Sequence, residues 1–210
     1  MGFSFGYVGK SYSFATIGTN GYVCLNNNGL FDCWQITRPA PYDILVGLNF
    51  DLDQKRGGSI YYKTLVNGAD FFNASQADVN LLNADFVPTN IFMFTYLNVL
   101  AYDISLPTSV NAFFQIILLT DSTRSFVVFR YTSCLDGQTM VAASGLDYNY
   151  DGLLKEKTIV NPCTSSNVGV AGKWVFEVTN STAGKKFFLF WKTFKKVLSE
   201  DFFRCCKSGL

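Results

Sequence analysis

The chain has 210 residues, a formal net charge of +1, 16% charged and 17% aromatic residues, including 21 Phe, and no histidine. A near-neutral chain lacks the basic field that a nucleic-acid polymer would need. Without histidine there is no Ser-His or Cys-His nucleophile pair, no imidazole base and no His-ligated zinc.

Strand signals begin at once. Gly9-Lys10-Ser11 imitates the end of a phosphate loop, but Ser4 stands where that loop requires glycine. The flanking "YSFATIG" and "GYVCLN" read instead as two strands around Thr19-Asn20-Gly21, with Asn-Gly suited to the left-handed positions of a hairpin. "ILVGLNFDLD" and "GSIYYKTLV" follow, joined by the turn "QKRGG". Asp51 and Asp53 form a D-x-D pair on one strand face, a spacing able to share a cation, though solvated strand ends carry it equally well.

The best helix pattern covers 73–82, "NASQADVNLL", with Asn73 or Ser75 as N-cap. "IFMFTYLNVLAYDI", "NAFFQIILLT" and "SFVVFRYTSC" are long strands, the last two joined by the polar turn "TDSTRS". The nearly continuous apolar runs "AFFQIILL" and "FVVF" in those two suggest central strands covered on both faces, by a second sheet or a helix. "MVAASGLDY" and "KWVFEVTN" complete a mainly-β fold, read as β-sandwich-like antiparallel sheets with one or two short helices.

Asp147, Asn149 and Asp151, in "DYNYDG", reproduce the opening of a calcium loop; Thr158 stands where its bidentate Glu belongs, so a polar turn is the competing reading. Asn73 and Asn180 head N-glycosylation sequons. Six cysteines form no CxxC pair. Cys24 with Cys33, and Cys134 with Cys163, would each close a modest loop; buried free thiols are the alternative. No run of about 18 apolar residues marks a membrane span. The N-terminus lacks the pattern of a signal peptide, which leaves a cytosolic chain or a secreted one that starts elsewhere. Beyond 180 the composition turns basic and aromatic. That tail, 181–210, is the one segment suited to a membrane surface, with a helix or strand docking on the domain, or a truncated end, as the stronger reading.

The order of these pieces resembles the nidogen-like domain family, found in nidogen, alpha-tectorin and some membrane mucins. "GYVGKSYSFATIGTNGYVCLN" is similar to its aromatic-Gly-Lys-x-Tyr opening, and "PYDILVGLNFDLDQKRGGSIYYK" to its D-x-D and Tyr-Tyr block. "FVPTNIFMFTYLNVLAY" occupies the place of its Thr-Trp segment, with Tyr96 where Trp is usual. "VNAFFQIILLTDSTRSFVVFRY" and "SNVGVAGKWVFEV" match its later strands. The resemblance covers 1–180, without the part that usually precedes it. It implies a non-catalytic extracellular domain contributing to cell–matrix adhesion or matrix assembly, with matrix proteins or glycoproteins and neighbouring domains as partners. No cofactor and no catalytic residues are implied; a calcium- or glycan-binding module is the alternative.

Overall fold

The computed structural model describes residues 1–26, 43–48, 50–108, 111–134, 144–147, 157–159 and 161–179. Met1–Thr179 forms one compact unit. The strands are β1 (Phe5–Tyr7), β2 (Lys10–Tyr12), β3 (Phe14–Gly18), β4 (Tyr22–Asn26), β5 (Asp43–Val46), β6 (Leu52–Asp53) and β7 (Ser59–Leu65). The helix α1 (Asp70–Asn80) precedes β8 (Asn90–Ala101), β9 (Asn111–Thr120), β10 (Ser125–Cys134), β11 (Ser144–Asp147), β12 (Lys157–Ile159) and β13 (Lys173–Glu177).

The described residues form three antiparallel sheets. One runs β13-β10-β9-β8-β6, with β7 also on β8; a second runs β12-β11-β5-β4-β3; β1 and β2 form a hairpin. β6 and β7 pair with successive stretches of one edge of β8, and the register of β8 with β9 breaks between Tyr96 and Val99, where Asn98 takes a φ of 51°.

The apolar runs of β9 and β10 are covered on both faces. Phe114, Ile116 and Leu118 pack in one core with Val23, Leu25 and Leu45 of the second sheet. Ile117 and Leu119 pack on the opposite side with Phe72 and Val79 of α1. Each such side chain contributes roughly 1.5–3 kcal/mol by leaving water, so the strands need no polar face. Gly47 sits where the two sheets meet: a Cβ there would lie 2.3 Å from the Phe114 ring, and its carbonyl accepts the Tyr131 hydroxyl at 2.6 Å.

Two local expectations change. The helix starts at Asp70 rather than 73, after Ala69, which makes no side-chain cap. Ser75 lies inside it and bonds back to the Phe71 carbonyl at 2.7 Å. Burial of Phe72 and Val79 on the sheet fixes the helix more strongly than a cap would. In the β3–β4 hairpin only Gly21 takes a positive φ (86°), whereas the Asn20 side chain accepts the Leu52 amide at 3.2 Å.

Candidate functional site

Lys10 and Tyr12 are two apart on β2, so they share a face, and both reach Asp43 at the start of β5. The Tyr12 hydroxyl donates to Asp43 Oδ2, and Lys10 Nζ lies 3.4 Å from the same oxygen. Asp43 is almost fully buried, and its Oδ1 has no hydrogen-bond partner among the described residues. Burial first, then the neighbouring carboxylate, pushes the Tyr12 phenol far above its ordinary value. A phenol so strongly held in its protonated form acts as a donor, so the trio clasps the hairpin to the second sheet. That gives Lys10 a role unrelated to phosphate.

The D-x-D pair serves a turn. Asp53 accepts the Lys55 amide at 2.8 Å, while the Asp51 backbone carbonyl accepts the Tyr102 amide at 2.7 Å and its side chain is exposed. Arg56 donates to the Ala101 and Asp103 carbonyls, closing the same corner. Among the described residues no three His, Cys, Asp or Glu side chains stand close enough to hold a metal ion.

Beneath α1 lies a charged cluster that the sequence did not announce. Asp78, 3% exposed, pairs with Arg130 of β10 and, at 2.6 Å, with Lys173 of β13. Arg130 also donates to Ser75 at 3.2 Å and to Gln115 at 3.4 Å. Two cations around one carboxylate tie the helix to three strands.

The outward-facing features are aromatic. β7 pairs with β8 on one side, and among the described residues its other edge pairs with nothing. Tyr61 and Tyr62 on that strand are 54% and 69% exposed, and Phe71 is exposed at the start of α1. Tyr62 stacks on Phe92 with centroids 6.0 Å apart, and Phe92 in turn meets Phe3 at 6.5 Å. "SIYYKTL" marks a strand, but sequence periodicity does not say that this strand is an edge.

Cys134 and Cys163 form a disulfide joining the end of β10 to the segment before β13. Cys24 is also disulfide-bonded; Cys33, the partner its spacing suggested, lies outside the described residues. Asn73 is exposed on α1. Asp147 is the last residue of β11, in register with Ile44. Asn149, Asp151, Asn180 and the tail lie outside the described residues.

A family model described as the nidogen-like domain matches residues 13–180. No solved structure matches the chain.

Proposed function

The chain belongs to the nidogen-like domain family, and from that membership we propose a non-catalytic extracellular interaction module contributing to cell–matrix adhesion or matrix assembly. Its partners are matrix proteins or glycoproteins and neighbouring domains of a longer chain. The family is non-enzymatic and occurs in extracellular proteins.

The observation that carries the placement is the Cys134–Cys163 disulfide, since such bonds persist in oxidising compartments. A strand edge that is unpaired among the described residues and bears exposed tyrosines supports the interaction role, because main-chain groups along an edge pair readily with another chain.

The test is to direct the full chain through the secretory pathway of a matrix-depositing cell line. The washed, detergent-insoluble matrix is expected to retain it, with Cys134 and Cys163 recovered as one disulfide-linked peptide. Accumulation in the medium alone would defeat the adhesion role. Reduced thiols in an intracellular product would defeat the placement.

A further inference from the structure

A cleft of about 380 Å³ opens where the β1–β2 hairpin crosses the ends of β8, β9 and β10. Backbone bonds from Val8 to Val178 (2.6 Å) and from Gly9 to Thr179 (3.1 Å) fix that crossing. Of the twelve residues that line the cleft, seven carry a hydroxyl, none carries a carboxylate, and Lys10 is the sole ionisable group.

The hydroxyls fall into two sets. Those of Thr120, Thr123, Ser125 and Thr179 are bonded within the fold and hold the walls in place. At the exposed rim, Ser4 and Ser11 bond each other. Among the described residues Ser122 engages only its amide, bonded to Thr120 at 3.0 Å, and projects from a turn held at a φ of 77°. Asn90 donates to Thr89 at 3.0 Å, which leaves its side-chain oxygen available. Phe3 forms the remaining wall and begins the ring series that continues through Phe92 to Tyr62.

We propose that this cleft binds an acidic saccharide. Its volume suits one or two sugar rings. Lys10 gives one of its three donors to Asp43 and has two left for a carboxylate or sulfate. Ser122, Asn90 and the Ser4–Ser11 pair meet ring hydroxyls, which both donate and accept. Phe3 offers an apolar face to the carbon side of a sugar ring, as large aromatic surfaces do. Lys10 shares its charge with Asp43 behind the cleft, yet its remaining donors give an acidic sugar a charge-assisted contact that a neutral one lacks.

The inference goes beyond the matrix reading and fails separately from it: matrix retention can hold without saccharide binding, and the converse. The full chain is titrated with a tetrasaccharide of alternating glucuronate and N-acetylglucosamine, with a neutral N-acetylglucosamine tetramer, and with sodium sulfate, following backbone amide resonances. The acidic tetrasaccharide is expected to shift Asn90, Ser122 and Thr123 saturably, and the neutral tetramer to bind more weakly. Ser122→Gly removes a ligand-facing hydroxyl while relieving the left-handed backbone. It should weaken binding by about two- to tenfold without lowering thermal stability. Phe3→Ala should weaken binding too. No saturable shift, equal response to sulfate, equal affinity for the neutral tetramer, or full affinity in Ser122→Gly would each overturn the assignment.

Discussion

The Tyr96 hydroxyl donates a 2.7 Å hydrogen bond to the Gly18 carbonyl, and the same oxygen lies 3.2 Å from the Tyr22 carbonyl. One side chain of β8 thus closes both ends of the β3–β4 loop across the core. The ring is fully buried and stacks on Phe114 at 4.4 Å. Burial, then the neighbouring Tyr22, pushes its phenol far above the ordinary value, so the donor proton stays in place. Tyr96→Phe removes the donor that the Gly18 carbonyl receives in the core and should cost about 1–3 kcal/mol. A lower urea midpoint at unchanged slope checks this; an unchanged midpoint would mean that this carbonyl finds another donor.

Asp78 holds two cations beneath α1. Asp78→Ala leaves Arg130, whose side chain is 16% exposed, as a largely buried charge with no carboxylate. Breaking such a pair from one side should cost about 3–5 kcal/mol. Removing both charges, as Asp78→Leu with Arg130→Met, should be much milder for the same reason. Chemical denaturation of the two variants decides the matter. Equal losses would mean that packing of α1, rather than the charge, sets the cost.

The parts of the fold legible in sequence were those governed by local pattern. "AFFQIILL" has no polar face, and the strand it forms is covered by a sheet on one side and a helix on the other. The Asn20-Gly21 turn was legible as a turn. The reason for its glycine was not, since a Cβ on Gly21 would lie 2.0 Å from the Leu48 carbonyl, 27 positions away. The clasp of Tyr12 on Asp43 spans 31 positions, and no periodicity connects them. Nothing in the sequence marks Asp78, because its cations come from β10 and β13. The cleft was hidden similarly: its hydroxyls come from separate chain segments that meet only when the hairpin crosses the sheet.

Asp121 shapes the β9–β10 turn. Burial pushes its carboxyl up. The Thr123 hydroxyl, the Arg124 and Thr123 amides and the Arg124 side chain outweigh that and hold it at about 2, against an ordinary 3.8. Because the folded value is the lower one, the carboxylate stabilises the fold above pH 3.8 and loses that effect as pH falls through about 2. Asp121→Asn should therefore cost about 1 kcal/mol at neutral pH, a figure kept small by solvent screening at a surface turn. The difference from wild type should shrink across that acid window and vanish below it. Urea midpoints over a pH series measure it. A difference constant with pH would assign the effect to turn geometry.

The edge of β7 that is unpaired among the described residues should self-associate. Tyr61 and Tyr62 are exposed and Lys63 supplies the strand's one charge, which is little protection for an edge of this length. Light scattering of the full chain at high concentration should show dimers or larger species, and Tyr62→Lys should shift them towards monomer. A sharp monomer peak from the unmodified chain would count against pairing along this edge.

Asn73 and Ser75 belong to one sequon, yet the fold treats them oppositely. Asn73 is exposed on α1, whereas Ser75 is 0% exposed, donates to the Phe71 carbonyl and accepts from Arg130. Glycan transfer reads the hydroxyl two residues after the asparagine, and here that hydroxyl is available only before α1 docks. Oligosaccharyltransferase should therefore modify Asn73 in the reduced, denatured chain and leave the folded, unglycosylated protein untouched, as intact mass would show. Ser75→Ala should abolish transfer and also cost about 1–2 kcal/mol, because Arg130 loses an acceptor. Transfer to the folded chain at Asn73 would show that the first turns of α1 open readily, contrary to their burial against the sheet.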